Sequence, residues 1–317
     1  MGVTVFLESS IMQKGKPATA GSKMLAGFIA PFNATVIERL EVAGVKIAGR
    51  VELSEFGTGG LFDEETLTDA VNNADIILCN DYTGAISRAA AANGLYYIHP
   101  TYGTVSRYGL IPAVSSMDQI GILCKNPEEG FDILKIIQGY DEKDGVMSSL
   151  FSPLTGELKN TSPLDNSPLD NKTEEPSPCP ALEQVMRILC CGELANNISR
   201  YDGVKFGYRA KEYNGLNELY TKSRTEAFGE GVKLAAIIGA MVLYQEDGER
   251  IYDKAMKVRR MIRDSFEFDK YDVIKSCNPA ISRLCGFPSL TTPQCTYISG
   301  AGCEDILKAI RKDNGVE

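Results

Sequence analysis

An α/β fold is what this sequence predicts, on three observations. Short apolar runs of strand type alternate with helical stretches along the first half of the chain. The 317 residues are 44% apolar and 24% charged, enough for a substantial core and outside the composition of disordered or collagen-like chains. No apolar run approaches the roughly 18 residues that a membrane-spanning helix needs.

The elements follow in order. Val3 to Leu7 is a strand-type run. Asn33 to Ala43 places Val36, Ile37, Leu40 and Ala43 on one helical face, Gly44 ends it, and Val45 to Ala48 begins a second strand. Asp63 to Asn73 reads as a helix and Ile76 to Cys79 as a buried strand. Thr83 to Asn93 opens a helix whose Ala89 to Ala92 permit close packing. Pro127 to Gly139 is amphipathic, with proline at its start. Residues 157–178, where SPLD occurs twice among Pro, Asp, Asn and Ser, form an internal loop or linker. Beyond it, Ala181 to Asn197, Asn214 to Ala227, Gly231 to Tyr244 and Tyr252 to Phe266 read as helices. Tyr271 to Ile274 reads as a strand and Glu304 to Arg311 as a last short helix.

Thirty-three basic against 42 acidic residues give a net charge of -9, which disfavours phosphate backbones and anionic lipid as partners. The sequence opens without a basic stretch ahead of a long apolar segment, and Phe6 stands where a myristoylation signal needs Ser or Thr. Nine cysteines, an odd number without a CxxC pair, fit reduced thiols. A cytoplasmic location and no membrane association are the expectation. A single histidine, His99, rules out a zinc site or a triad built on several histidines. Neither a metal nor a cofactor is expected.

Several long strings resemble the amidase signature family, and most closely the branch formed by the first subunit of the tRNA-dependent amidotransferases. They are KGKPATAGSKML (14–25), ATVIERLEVAGVKIAGR (34–50), PTYGTVSRYGLIPAVSSMDQIG (100–121), NNISRYDGVKFGYR (196–209), SRTEAFGEGVK (223–233) and KAMKVRRMIRDSFEFDKYDVI (254–274). The resemblance implies a central twisted mixed sheet flanked by helices. It further implies that residues 1–317 form one reduced domain, with the N-terminal helical segment and internal loops of the family abbreviated.

Members of that family hydrolyse amides with a serine nucleophile, a second serine beside a cis peptide bond that relays the proton, and a neutral lysine that accepts it. Counting from the matched strings puts Glu8 at the lysine position, followed by Ser9 and Ser10. It puts Leu61, after Gly59-Gly60, at the relay serine, and Ala85 at the nucleophile, at the end of Asn80-Asp81-Tyr82-Thr83-Gly84-Ala85. An alanine cannot attack, a leucine cannot relay a proton, and a glutamate has the wrong charge. Tyr82 and Thr83 bring bulk to the oxyanion loop, with Gly84 before Ala85. The arginine pair after the Gly-x-x-Val-Lys stretch is replaced by Leu234-Ala235.

The groups left near this vestigial pocket have ordinary expected roles. Ser9, Ser10 and Thr83 should cap or bond backbone, and Cys79 should be a buried strand residue. Glu8 and Asp81 are expected to be solvated or salt-bridged rather than an acid–base pair or cation site. His99 should be a packed, hydrogen-bonded histidine. Cys190 and Cys191 point apart on a helix and, even with Cys179, lack a fourth metal ligand. Lys254, Lys257, Arg259, Arg260 and Arg263 read as a solvated helix face, and the GxG at 229–231 lacks a nucleotide-site context.

The leading expectation is a catalytically inactive homologue that acts as a structural or regulatory protein-binding subunit, paired with itself or with a second protein. Two alternatives stay open. One is an enzyme whose site is remodelled or completed by a partner, and the other a small-molecule binder that uses the vestigial cleft.

Overall fold

The structure is a computed structural model that describes residues 2–67, 71, 73–147, 180–244, 250–268, 273–302 and 307. Eight strands form one mixed sheet: β1 (Val5–Glu8), β2 (Ile47–Val51), β3 (Ile76–Asn80), β4 (Tyr96–His99), β5 (Ile120–Cys124), β6 (Val273–Ser276), β7 (Ser289–Thr291) and β8 (Thr296–Ser299), in the order β2-β1-β3-β5-β4-β7-β8-β6. The β1 strand pairs parallel with both β2 and β3, and every pairing from β3 to β6 is antiparallel.

Buried on both faces, β3 (IILCN) and β5 (IGILC) are almost continuously apolar, the pattern expected of central strands. Their side chains alternate. Ile76 and Leu78 join Val5, Leu7 and Ile122 under helices α1 (Thr35–Val42) and α3 (Pro127–Ile137). On the opposite face, Ile77 and Cys79 meet Ile86 and Ala90 of α2 (Ala85–Ala92), with Tyr97 and Leu123. Helix α3 starts where Asn126 accepts the Glu128 N–H at 3.0 Å with Pro127 next, a strong N-terminal signal.

The second half is helical: α4 (Pro180–Ile198), α5 (Leu216–Ala227), α6 (Glu230–Leu243), α7 (Ile251–Asp264) and the short α8 (Ala280–Cys285). Helices α4 and α6 pack at close range because Gly239 lies on the Cys191 carbonyl, where a Cβ would stand 2.1 Å from that oxygen. This layer shares a core with Phe56 and Leu61, from the segment after β2, and with Tyr82, just after β3.

Several expectations shift. The strand after Gly44 runs over Ile47–Val51, two residues later than its apolar start. The helix expected at Asp63 to Asn73 is not there over Asp63–Leu67, which are bends and irregular backbone. The Asp63 carbonyl instead accepts the Gly60 N–H at 2.7 Å, and Glu65 accepts the Ser54 N–H at 3.2 Å, so this stretch closes a loop. The loop expected at 157–178 and most of the helix expected at 304–311 lie outside the described residues. Among the described residues no helix is long and apolar enough to cross a membrane.

Candidate functional site

The C-terminal ends of the adjacent parallel strands β1 and β3 bring Glu8 and Asn80 side by side. Asn80 donates its backbone N–H to Glu8 Oε2 at 2.7 Å. Its side-chain amide donates to Asp118 Oδ1 at 2.8 Å, and its Oδ1 accepts the Gln119 N–H at 3.1 Å, which ties the β3 end to the start of β5. Glu8 is 3% exposed, and burial pushes its carboxyl up to about 7, against the opposing help of the Asn80 N–H and the Ser10 hydroxyl. The Ser10 hydroxyl is buried beside it. Ser9 points elsewhere, donating to Glu52 at 2.7 Å and accepting the Gly21 N–H at 3.2 Å.

After β3 the chain turns through Asp81–Gly84 into α2. Gly84 adopts φ +77°, and a Cβ there would press within 2.8 Å of the Ala280 nitrogen, so glycine serves both the turn and the close approach of α8. Asp81 caps α2, accepting the Ile86 N–H at 3.1 Å and the Ser87 N–H at 3.0 Å. Its carboxylate also accepts from the Ser87 hydroxyl at 2.5 Å and from Arg283 of α8 at 3.1 Å. Arg283 is 1% exposed. It donates to the Asp81 carbonyl, to the hydroxyls of Ser282, Ser289 and Ser87, and lies over the Tyr97 ring.

The rest of the turn is filled. Tyr82, fully buried, donates its hydroxyl to the Phe56 carbonyl at 2.9 Å and packs against Gly57. Thr83 donates to the Gly59 carbonyl at 2.8 Å and accepts the Ala85 N–H at 3.2 Å. Ala85 is 3% exposed and Leu61 2%. A Cβ on Gly60, at φ +84°, would stand 2.7 Å from that of Ala85. The loop carrying Gly59, Gly60 and Leu61 therefore seats directly on the turn that carries Ala85. Every peptide bond among the described residues is trans.

The vestigial-site residues singled out from the sequence thus gather in one region, and three expectations are corrected. Asp81 is salt-bridged as expected, by Arg283, whereas Glu8 is neither solvated nor salt-bridged among the described residues: it bonds a backbone N–H. His99 is packed as expected, 1% exposed, but its Nδ1 has no partner; burial and then the Arg283 charge hold the ring well below the usual histidine range. Cys79 is a fully buried strand residue. In the basic helix face, Arg259 turns inward, donating to the Leu284 carbonyl at 2.6 Å and to Ser116 at 2.7 Å, while Lys254, Lys257, Arg260 and Arg263 are exposed. Cys190 and Cys191 are buried, Cys179 lies outside the described residues, and no acid, cysteine and histidine group able to hold a metal occurs among the described residues.

Sequence reasoning missed Arg283, which sits 202 residues from the carboxylate it neutralises. The available signal was a lone arginine inside the apolar hexapeptide Ala280–Cys285: a buried guanidinium demands a carboxylate. Glu8, Leu61 and Ala85 do not line a cavity of about 170 Å³, whose walls are Arg107, Tyr108, Leu110, Pro112, Ser115, Asp118, Lys143 and Asp144. Its guanidinium is already engaged by Asp144, Tyr102 and the Ser115 carbonyl.

Comparison with known proteins agrees with this architecture. The amidase family profile matches residues 1–75, 70–170 and 159–282. The A subunit of the glutamyl-tRNA(Gln) amidotransferase from Lachnoclostridium phytofermentans is 34% identical over 90% of this chain and 69% of its own length. Its counterpart from Wolinella succinogenes is 32% identical over 94% of this chain and 77% of its own. The peptide amidase of Stenotrophomonas maltophilia superposes with a TM-score of 0.69 at 18% identity, over 96% of this chain and 80% of that one, a likeness of fold. A mixed sheet flanked by helices, a profile match along most of the chain and identities above 30% lead to one conclusion: the chain belongs to the amidase family.

Proposed function

We propose that this chain is a catalytically inactive amidase homologue that serves as a structural or regulatory protein-binding subunit. The observation that carries the reading is the identity of three buried residues. Glu8, Leu61 and Ala85 stand where the family resemblance puts the lysine, the relay serine and the nucleophile. Amide hydrolysis by this route needs a nucleophilic oxygen, a proton path and a base in contact. Two of the three positions are hydrocarbon, and the third is a carboxyl bonded to backbone. Thr83 and Ser87 do not substitute: Thr83 is engaged by Gly59 and Ala85, and Ser87 by Asp81 and Arg283. Leu61 and Tyr82 are both buried beside these positions.

The binding role is supported by helix α6. Only Glu230 and Lys233 are charged in it, and its outer face leaves Leu234, Ile237 and Met241, with Tyr244 beyond its end, 42–67% exposed. A helix apolar on every side is ordinarily covered. The relatives matched are subunits by name, and descent from such a component fits a chain that works beside another protein.

Affinity isolation from the native cells followed by intact-complex mass spectrometry tests the reading. A stoichiometric second subunit or a homodimer is the expected result, together with no release of ammonia from glutamine, asparagine or simple amides by the isolated complex. A monomer that carries a bound metabolite, or turnover that survives in the purified chain, overturns it.

A further inference from the structure

The far edge of the sheet brings two cysteines face to face. Strand β6 is the last in the strand order and pairs antiparallel with β8, in the register Val273↔Ser299, Ile274↔Ile298, Lys275↔Tyr297 and Ser276↔Thr296. The next step along that register sets Cys277 opposite Cys295. On its other side β8 pairs with β7, and Thr292 and Cys295 close that hairpin. The Thr292 N–H donates to the Cys295 carbonyl at 2.9 Å, and the Thr292 hydroxyl accepts the Cys295 N–H at 3.2 Å. Cys295 is thereby held at the base of the Pro293-Gln294 turn.

The two thiols also share a face. Side chains alternate along a strand, so Cys277 stands on the side of Lys275 and Cys295 on the side of Tyr297. Lys275 and Tyr297 meet there, with the ammonium 5.7 Å from the ring centroid. The Cys295 thiol and the Tyr297 hydroxyl hydrogen-bond on that same side. Residues directly opposed in an antiparallel pair stand about 4.5–5.5 Å apart at Cα, within the range of roughly 4.4–6.8 Å over which a disulfide forms. Cys277 is exposed and Cys295 half-buried, whereas Cys79, Cys124, Cys190, Cys191 and Cys285 are buried. A reagent in solution therefore meets Cys277 before any of these.

We propose that Cys277 and Cys295 form a reversible disulfide site that is oxidised by a low-molecular-weight disulfide such as oxidised glutathione. The Cys277 thiolate attacks one sulfur of the reagent, whose S–S bond breaks as one small thiolate leaves. The Cys295 thiolate then attacks the Cys277 sulfur, and the mixed bond breaks as the second small thiolate leaves. The two protons given up by the cysteines pass to the two departing thiolates. Two protein thiols are thus oxidised to one disulfide while one small disulfide is reduced to two thiols. The bond ties the edge strand to the hairpin and closes a ring that carries α8 with Arg283, and Ala280 of that ring lies against Gly84 of the β3–α2 turn. The site does not depend on whether the chain is catalytically inactive.

Titration of the full chain with glutathione buffers of graded oxidised-to-reduced ratio, followed by acid quenching, alkylation and peptide mapping by mass spectrometry, tests it. The expected product is a Cys277–Cys295 cross-link within one chain. Its formation constant in the folded chain should exceed that in the urea-unfolded chain by about 100-fold, the factor by which a bridge closing a ring of this size stabilises a fold. Cys295→Ser should leave Cys277 as a lasting mixed disulfide with glutathione, because no second thiol resolves it, and Cys277→Ser should abolish the cross-link. The comparison of folded and unfolded parent chain stands without either variant. Overturning results are a Cys277 that stays open to alkylation in excess oxidised glutathione, a mixed disulfide at Cys277 that persists in the parent chain, a cross-link formed equally with Cys179 or Cys303, or a formation constant no larger in the folded chain than in the unfolded one.

Discussion

Replacing Arg283 by methionine tests what holds the β3–α2 turn in place. Methionine keeps most of the aliphatic stem and removes the guanidinium. What is lost are the bonds to the Asp81 carboxylate at 3.1 Å, to the Asp81 carbonyl at 3.2 Å and to Ser282 and Ser289 at 2.6 and 2.8 Å. Both side chains of the pair are fully inaccessible, so solvent does not replace the missing charge. Breaking one side of a buried ion pair costs about 3–5 kcal/mol. The low end is expected here, because Asp81 keeps the Ile86 and Ser87 amides and the Ser87 hydroxyl. For a chain of this size that is about 5–10 °C in the unfolding midpoint. Circular dichroism suits the measurement, since the chain has no tryptophan to report by fluorescence. The double variant Asp81→Asn/Arg283→Met should recover at least ~1 kcal/mol, because asparagine still accepts from α2 and carries no uncompensated charge. A loss below ~1 kcal/mol for the single variant, or a double variant no better than the sum of its parts, refutes the account of Arg283 as the counter-charge of the turn.

The pH profile of unfolding should show the sign set by Glu8. Its carboxyl is held near 7 in the folded chain against 4.5 as the ordinary value, so the folded state binds more proton between these limits. The Glu8 contribution is fully present below about pH 4.5, falls as pH rises, and is lost above about 7, a change of about 3 kcal/mol. Glu8→Gln should therefore flatten the profile and gain most at pH 8; urea midpoints for both chains at pH 5 and 8 measure it, and an equal difference at the two pH values contradicts the assignment. In α6, Gly239→Ala should destabilise by about 1–3 kcal/mol, since its Cβ meets the Cys191 carbonyl and Ala195. Gly231→Ala, whose nearest neighbour is Thr58 at 3.6 Å, should instead gain up to about 1 kcal/mol; matching signs for the two would show that the α4–α6 crossing does not depend on glycine.

What could be read from the sequence was whatever periodicity carries. The helices from α3 to α7 repeat apolar residues at helical spacing, and β1 and β3 are short apolar runs between breakers. The strands β7 (SLT) and β8 (TYIS) carry no such signal, because their buried positions include Ser289, Thr291, Thr296 and Ser299. Those hydroxyls are tolerated inside where they find partners: Ser289 bonds Arg283, and Thr291 and Thr296 bond each other. Asp63 to Asn73 has helical spacing, yet over Asp63–Leu67 the Gly60 N–H and the Ser54 N–H draw the chain into a loop. At the site, Glu8, Leu61 and Ala85 were visible as residue identities. Their confinement was not, because the groups that fill the space, Phe56, Tyr82 and Arg283, come together only through the fold.

On the proposed reading, the division between what the region keeps and what it lacks is informative. A buried Asp81–Arg283 pair and an Asn80–Asp118 contact are poor devices for raising stability, since desolvating charged groups consumes most of what their attraction provides. Their effect is to fix geometry: Asp81 sets the start of α2, Arg283 fixes α8 against it, and Asn80 locks β3 to β5. An apolar interior of equal volume would hold the core together without specifying the turn. A chain that retains the specifying network while placing hydrocarbon at Leu61 and Ala85 retains the shape of the region rather than its chemistry. Shape at this place matters outside it, because the helical layer carrying the exposed face of α6 packs directly on Phe56, Leu61 and Tyr82. The frame around the emptied positions thereby sets where that face stands.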